Sequence, residues 1–199
     1  MYHVSNAHEQ PERGDFVNRL LSIDPGARKG ESMPLTELPF HLSGRICRSP
    51  MPFSVYDPEG DTLLQFKREN GSMIVLLAEE NECIERAGRD LKSLYLREGF
   101  EVLHLPIRDL DVPSRESLEG AIKKTIERAR AGKNIVIHCH AGLGRTGLFV
   151  AYLAKHVLSL SNGDAILWTR KYIPGALETE EQEHWVIRDG IQEKVGDPT

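Results

Sequence analysis

Cysteine is scarce in this chain of 199 residues, which contains only three, Cys47, Cys83 and Cys139. Their irregular spacing fits neither the paired cysteines of a zinc site nor the dense framework of a small disulfide-rich domain. The sequence therefore predicts no metal site and no disulfide scaffold. A chain that uses a reactive thiol needs reducing surroundings, so we expect it in the cytoplasm.

Basic clusters and long apolar segments are also missing. The chain has 25 Lys and Arg against 30 Asp and Glu, a net charge of −5, with no run of basic residues of the kind that binds nucleic acid. No apolar segment is long enough to cross a bilayer, and the first residues lack the apolar core of a signal peptide. We therefore expect no nucleic-acid partner and no membrane association.

A change in composition near residue 35 divides the chain into two parts. Residues 1–34 are polar and contain several prolines and glycines, which is typical of an N-terminal extension. Residues 35–199 are long enough for one domain with a substantial core. The pattern does not indicate an oligomeric state.

Strand-like apolar runs alternate with segments of helical periodicity in the larger part. The predicted strands are an edge strand at 43–47, then 73–77, 102–107 and a central strand at 135–137. The predicted helices are a short one ending near Gly71, one at 84–95, one at 114–131, a buried one at 148–160, one from Gly163 to Pro174, and one from Thr179 through Ile191. This alternation predicts an α/β domain with a mostly parallel central sheet flanked by helices on both faces.

The most informative stretch follows the predicted central strand. Cys139 is separated from Arg145 by five residues, two of them glycines, and an apolar segment of helical length comes next. Glycines allow successive backbone N–H groups to converge at a helix N-terminus, where they bind a tetrahedral oxyanion. An arginine adds a planar fork for two oxygens of the same anion. The predicted phosphate-binding residues are His140, Ala141, Gly142, Leu143, Gly144 and Arg145.

Cys139 lies at the base of this loop and is the candidate nucleophile. A cysteine surrounded by amides at a helix N-terminus and near a guanidinium ionises readily, and its thiolate would face the bound phosphoryl group. The alternative is a buried cysteine that ends a core strand, beside glycines that mark a turn. That alternative does not account for Cys, Gly, Gly, Arg and Thr occurring together after a strand.

The residues His-Cys-x-x-Gly-x-x-Arg-Thr at 138–146 resemble the signature of the cysteine-dependent protein tyrosine phosphatase superfamily. The residues of this loop are most similar to those of the cyclin-dependent-kinase-associated and cell-division-cycle phosphatases of the dual-specificity branch. The resemblance implies a phosphoprotein substrate, a cysteinyl-phosphate intermediate and no cofactor. Tyrosine-specific relatives have a longer domain and an aromatic recognition loop, neither of which the sequence shows, so phosphoserine and phosphothreonine are expected substrates beside phosphotyrosine.

The resemblance also implies a general acid on a loop after the strand that precedes the central one. Asp109 lies three residues past Pro106, the offset usual in this family, and is assigned the role; Asp111 remains the alternative. The Thr146 hydroxyl would assist the departure of sulfur, although a threonine in a first helical turn can instead bond a local carbonyl. His138 would support the loop from behind.

Gln182 has two interpretations that remain open. The segment from Thr179 to Gln182 is a capping box, which by itself accounts for both residues. The same segment resembles the place where family members carry a glutamine that positions water. Residues 79–81 are expected to form a solvated turn, from which an acidic residue could bond the arginine. Cys47 and Cys83 are expected to be structural thiols.

Other functions share the loop and remain alternatives. The same chemistry could act on a phosphoinositide, an inositol phosphate or an RNA 5′-triphosphate. His140 and Leu143 stand where phosphoinositide phosphatases tend to carry lysines, which disfavours the lipid substrate. A phosphate-binding module without catalysis is disfavoured by the intact Cys139, Arg145 and acid loop, and a sulfur-transferase gives no reason for the Gly-Arg-Thr-Gly ending.

Overall fold

A five-stranded sheet organises residues 35–188, the part of the chain that the computed structural model describes. The strands are β1 (Thr36–Leu38), β2 (Ile46–Arg48), β3 (Gly71–Leu76), β4 (Glu101–His104) and β5 (Asn134–His138). Their order is β1-β2-β5-β3-β4, with β1 antiparallel to β2 and all other neighbours parallel. The predicted mostly parallel sheet with a central strand at 135–137 is confirmed. The predicted extension at 1–34 and the end of the last helix at Ile191 lie outside the described residues.

Helices cover both faces of this sheet. Within residues 35–188 they are α1 (Asp61–Arg68), α2 (Glu80–Ala87), α3 (Leu91–Arg97), α4 (Arg115–Arg130), α5 (Gly144–Leu158), α6 (Asn162–Tyr172) and α7 (Glu180–Arg188). The first three pack on one face and the other four on the opposite face. Among these helices, none combines the length and the apolar character that a membrane crossing requires.

The central strand β5 joins two apolar clusters. Ile135 and Ile137 face the cluster under α4 to α7, whereas Val136 faces the cluster under α1 to α3. All three are buried, as expected for a parallel strand that is covered on both faces. The helix that follows, α5, is buried along residues 144–154, so its N-terminus is fixed at the carboxyl end of β5.

The predicted edge strand at 43–47 is wrong both in the residues that form it and in its position within the sheet. The strand there is β2, at 46–48, and it lies second in the sheet because β1, which the sequence analysis did not assign, pairs outside it. The Gly44 N–H instead donates to the Ala129 carbonyl at 2.8 Å, so this residue is bound to the end of α4 and not to a strand. Strands of three residues are too short to show a period.

The single helix predicted over 84–95 is also wrong. Gly88 adopts a left-handed conformation with φ of +66° and ends α2, and the Asp90 carboxylate accepts the Ser93 N–H at 2.9 Å and starts α3. Because of this break, α2 buries a different face from the one that a continuous helix over 84–95 would bury. Cys83 is therefore buried there, whereas Ile84 is 57% exposed.

The start of α1 depends on a buried carboxylate. Asp57 is fully buried, and it accepts the Asp61 N–H at 2.8 Å, the Thr62 N–H at 3.1 Å and the Thr62 hydroxyl. The residue at the cap position itself, Gly60, contributes no side-chain hydrogen bond. Asp57 therefore satisfies backbone donors that the helix leaves free.

We expect Asp57→Ala to lower the free energy of unfolding by about 2 kcal/mol, because the first turn of α1 loses its acceptor while its amides stay buried. Asp57→Asn keeps one acceptor oxygen and should lose less. Urea unfolding followed by circular dichroism measures both, with the exposed Asp61→Ala as the control. Equal midpoints for Asp57→Ala and wild type would show that this cap is not needed.

Candidate active site

The loop between β5 and α5 forms a cradle of backbone amides. Cys139 is 2% exposed, and its sulfur accepts a hydrogen bond from the Thr146 hydroxyl at 3.2 Å. The amides of residues 140–143 donate to no group within residues 35–188. Gly142 has φ of +75°, and a Cβ there would lie 2.5 Å from the Ser49 carbonyl oxygen, so the loop requires glycine. These amides, at the N-terminus of α5, are positioned to bind an oxyanion above the sulfur.

Arg145 connects this loop to two other segments. Its guanidinium is 2% exposed and makes two bonds to the Glu82 carboxylate, from Nη1 at 2.6 Å and from Nη2 at 2.8 Å. Nη1 also donates to the Ile107 carbonyl at 2.9 Å, and Nη2 lies 2.9 Å from Asp109 Oδ1. Burial lowers the pKa of Arg145, but the bonds to Glu82 and the nearby negative charges outweigh it and raise that pKa above its usual range.

Glu82 is a site residue that the sequence analysis did not identify. It lies in the first turn of α2 and is 8% exposed, whereas the turn at 79–81 was expected to be solvated. Burial raises the pKa of Glu82, but the hydrogen bonds and charge of Arg145 outweigh burial and hold it below its usual range. The sequence contains a signal that could have predicted Glu82. Neighbouring parallel strands end at the same edge of a sheet, so an acidic residue soon after β3 can face the loop after β5.

The structure brings Asp109, and not Asp111, to the guanidinium. The Asp109 side chain is 54% exposed, and its Oδ1 also accepts the Leu110 N–H at 3.2 Å. Leu110 has φ of +64°, an unusual value for leucine that turns the loop sharply after Asp109. Asp111 Oδ1 instead accepts the neighbouring Val112 N–H at 2.8 Å. Of the two aspartates, the one that contacts Arg145 is thus the one that the sequence favoured, and its role as the acid stays a prediction.

Gln182 is fully buried between the acid loop and the cradle. Its backbone N–H donates to the Thr179 hydroxyl at 3.2 Å, which is one half of a capping box. Its side chain accepts the Glu178 N–H at 2.9 Å and donates to the Asp111 carbonyl at 3.3 Å. Glu178 Oε2 in turn accepts the Gly144 N–H at 2.8 Å, so this amide, which was predicted to bind phosphate, is bonded to a carboxylate. These bonds link the acid loop to the phosphate loop, and the water-positioning role of Gln182 stays a prediction.

The two histidines of the motif are buried to different extents. The His138 Nδ1 donates to the Cys139 carbonyl at 2.9 Å, and because a carbonyl only accepts, Nε2 is left to accept the Tyr95 hydroxyl, also at 2.9 Å. Burial lowers the pKa of His138 to about 4, so its ring is neutral and holds the loop backbone. The His140 ring meets Tyr56 edge-on at 5.0 Å between centroids, and burial lowers its pKa as well.

The other two cysteines differ from Cys139 in their surroundings. Cys47 and Cys83 are buried, and burial raises the pKa of Cys47 to about 11 and that of Cys83 to about 12. They are therefore neutral thiols at pH 7, as expected for structural cysteines. Within residues 35–188, no three His, Cys, Asp or Glu side chains converge in a way that could hold a metal ion.

We expect Glu82→Gln to weaken the binding of inorganic phosphate about tenfold and to lower the free energy of unfolding by about 3 kcal/mol, because it leaves the buried Arg145 charge without its carboxylate. Isothermal titration and urea unfolding measure the two effects. The exposed Glu80→Gln, in the same helical turn and paired with Lys92, is the matched control. Unchanged phosphate affinity in Glu82→Gln would show that Arg145 does not need this partner.

A family match covers the segment that contains most of this site. Residues 55–157, just over half of the chain, match the family described as "Polymorphic toxin system, DSP-PTPase phosphatase". The matched segment contains the acid loop, the cradle and most of α5.

Individual relatives match parts of the chain. The dual specificity protein phosphatase CDC14C of Symphalangus syndactylus is 30% identical over 134 residues, which is 64% of this chain and 24% of that protein. The chain thus spans only about a quarter of this curated relative. The crystal structure of Tk-PTP in the active form is 32% identical with a TM-score of 0.62, covering 76% of this chain and 94% of that one.

The structure of kinase associated phosphatase shares the fold. It has a TM-score of 0.73 at 20% identity and covers 84% of this chain and 100% of that one. The family of this chain is shown by the match over residues 55–157. The 32% identity to Tk-PTP, over 94% of that chain, supports the same family. The chain belongs to the DSP-PTPase phosphatase family of polymorphic toxin systems, within the dual-specificity branch of the cysteine-dependent phosphatases.

Proposed function

We propose that this chain is a phosphoprotein phosphatase that hydrolyses phosphotyrosine, and also phosphoserine and phosphothreonine, through a cysteinyl-phosphate intermediate. The observation that carries the proposal is the Cys139 sulfur at the base of free backbone amides, beside Arg145 and bonded by the Thr146 hydroxyl. The chemistry needs a reduced thiol, which supports a reducing compartment, the cytoplasm.

In the first step the phosphoryl oxygens accept hydrogen bonds from the amides of residues 140–143 and from Arg145. The Cys139 thiolate attacks phosphorus, so that a sulfur–phosphorus bond forms while the bond to the leaving oxygen breaks. Asp109, as a carboxylic acid, donates its proton to that oxygen, and the alcohol or phenol departs neutral. The amides and Arg145 meet the negative charge that spreads over the equatorial oxygens in the transition state.

Substrate binding changes the partner of Asp109. In the described structure its carboxylate lies on Arg145 Nη2 at 2.9 Å, the kind of position that a phosphoryl oxygen takes on a guanidinium. A bound phosphate displaces this carboxylate, and the exposed Asp109 side chain is then free to turn toward the leaving oxygen. Glu82 and the Ile107 carbonyl keep Arg145 in place during the exchange.

In the second step water attacks the phosphorus of the cysteinyl-phosphate. Asp109 accepts the proton from that water, the sulfur–phosphorus bond breaks, and inorganic phosphate is released. The Thr146 hydroxyl, 3.2 Å from the sulfur, stabilises the thiolate as it departs. Gln182 would place the water through the amide hydrogen that remains after its bond to the Asp111 carbonyl.

The rim of the site supports a protein substrate. Val55 is 79% exposed and Tyr56 is 40% exposed, and Tyr56 contacts His140 of the phosphate loop. Tyr56 is an aromatic group at the rim that the sequence analysis did not find. An exposed aromatic side chain beside the phosphate cradle favours a phosphorylated side chain on a peptide over a highly charged inositol phosphate.

We expect Cys139→Ser to reduce the hydrolysis of p-nitrophenyl phosphate by at least about three orders of magnitude, because a serine hydroxyl is not ionised in this cradle. The variant should still bind phosphopeptides, since the amides and Arg145 are unchanged. Cys83→Ser is the control and should keep wild-type turnover. Substantial hydrolysis by Cys139→Ser would contradict the proposed mechanism.

The dependence of kcat on the leaving group distinguishes the roles of the two aspartates in the acid loop. We expect Asp109→Asn to lower kcat by about 10²–10⁴ on a phosphoserine peptide, and less on p-nitrophenyl phosphate, whose leaving group needs no proton. Asp111→Asn is the matched variant and should change kcat little. The reverse ranking would assign the acid to Asp111.

A further inference from the structure

Arg48 is a buried cation without a counter-ion in the part of the chain that the structure describes. The residue is 6% exposed, and its Nε and Nη1 atoms are buried without a hydrogen-bond partner. Arg145 is buried as deeply, but it has Glu82, Asp109 and a backbone carbonyl as partners. An unpaired buried guanidinium destabilises the folded state, which a negative group close to Arg48 would offset.

The position of Arg48 in the sheet puts it on the side of the catalytic sulfur. It ends β2, and its Cα lies opposite Ile137 in β5. Ile46 and Ile137 face the cluster under α4 to α7, and Arg48, two residues after Ile46, points to the same face. Cys139, two residues after Ile137, packs in the same cluster. The side chains of Arg48 and Cys139 are thus diagonal neighbours on one face of the sheet.

Among the charged groups near the sulfur, the Cys139 thiolate is the negative group that can pair with Arg48. Burial lowers the pKa of Arg48, and the negative charge of Cys139 opposes this effect. From α5 the sulfur is faced by Arg145, whose own charge Glu82 and Asp109 already balance. The Glu178 carboxylate, on the Gly144 N–H at the start of α5, adds a negative charge at this loop and no cation. His138, adjacent in the chain, is neutral at pH 7 because burial lowers its pKa to about 4.

We propose that Arg48 is a positioning residue for the nucleophile, whose guanidinium stabilises the Cys139 thiolate from the sheet side and so makes it available for attack at neutral pH. In this role Arg145 binds the phosphoryl oxygens, while Arg48 supplies the charge that the sulfur needs before substrate arrives. Arg48 then costs stability in the fold and contributes reactivity in the site. The proposal rests on the proposed function in one respect, that Cys139 is the nucleophile.

The first test is the pH dependence of alkylation of Cys139 by iodoacetamide, located by peptide mass. In Arg48→Met the midpoint should rise by about one pH unit, because an opposite charge near the thiolate is lost. Arg48→Lys keeps the charge and should return the midpoint toward wild type. Arg68→Met removes an exposed arginine at the far end of α1, beside the amino end of β3, and should leave the midpoint unchanged.

The second test separates an electrostatic role from a structural one. Arg48→Met should raise the thermal unfolding midpoint more in the Cys139→Ser protein, where Arg48 has no anion, than in the protein with Cys139. If the alkylation midpoint is the same in wild type and Arg48→Met, or if the two stability effects are additive, the proposal is wrong. Alkylation requires no turnover, so this result is distinct from a failure of Cys139→Ser to lose activity.

Discussion

The buried ion pair between Arg145 and Glu82 is the interaction on which the site depends. Arg145 extends from the first turn of α5, Glu82 from the first turn of α2, and the Ile107 carbonyl from the segment before the acid loop. One guanidinium therefore holds together the segments that follow β3, β4 and β5 at the same edge of the sheet. Because the pair is bidentate and shielded from water, it holds the guanidinium in one orientation without help from Asp109, as the proposed mechanism requires.

The surroundings of Cys139, the proposed nucleophile, differ from those of the other two cysteines. Cys47 and Cys83 lie among apolar side chains, and burial raises the pKa of each thiol. Cys139 is buried as well, but the free amides of residues 140–143 and the Thr146 hydroxyl lie around it, and it interacts electrostatically with Arg145 and Arg48. In the proposed mechanism, the dipoles and charges around the sulfur, rather than burial alone, make Cys139 the reactive thiol.

Much of the site could be predicted from the sequence because its parts are local. The nucleophile, the glycines and Arg145 lie within seven residues, and Asp109 has a fixed offset from Pro106. The rest depends on tertiary contacts. Glu82 and Arg48 are brought to the site by sheet order, which a single sequence does not show. The break between α2 and α3 depends on the left-handed conformation of Gly88, which competes with a continuous apolar periodicity across it.

The central claim is that phosphate passes through the sulfur of Cys139, and trapping the intermediate tests it most directly. Wild-type protein is mixed with a phosphotyrosine peptide, quenched in acid within milliseconds and digested for peptide mass analysis. The account predicts one phosphate on the peptide that contains Cys139 and none on those with Cys47 or Cys83. Turnover without phosphate on Cys139, or with phosphate on another residue, would contradict it.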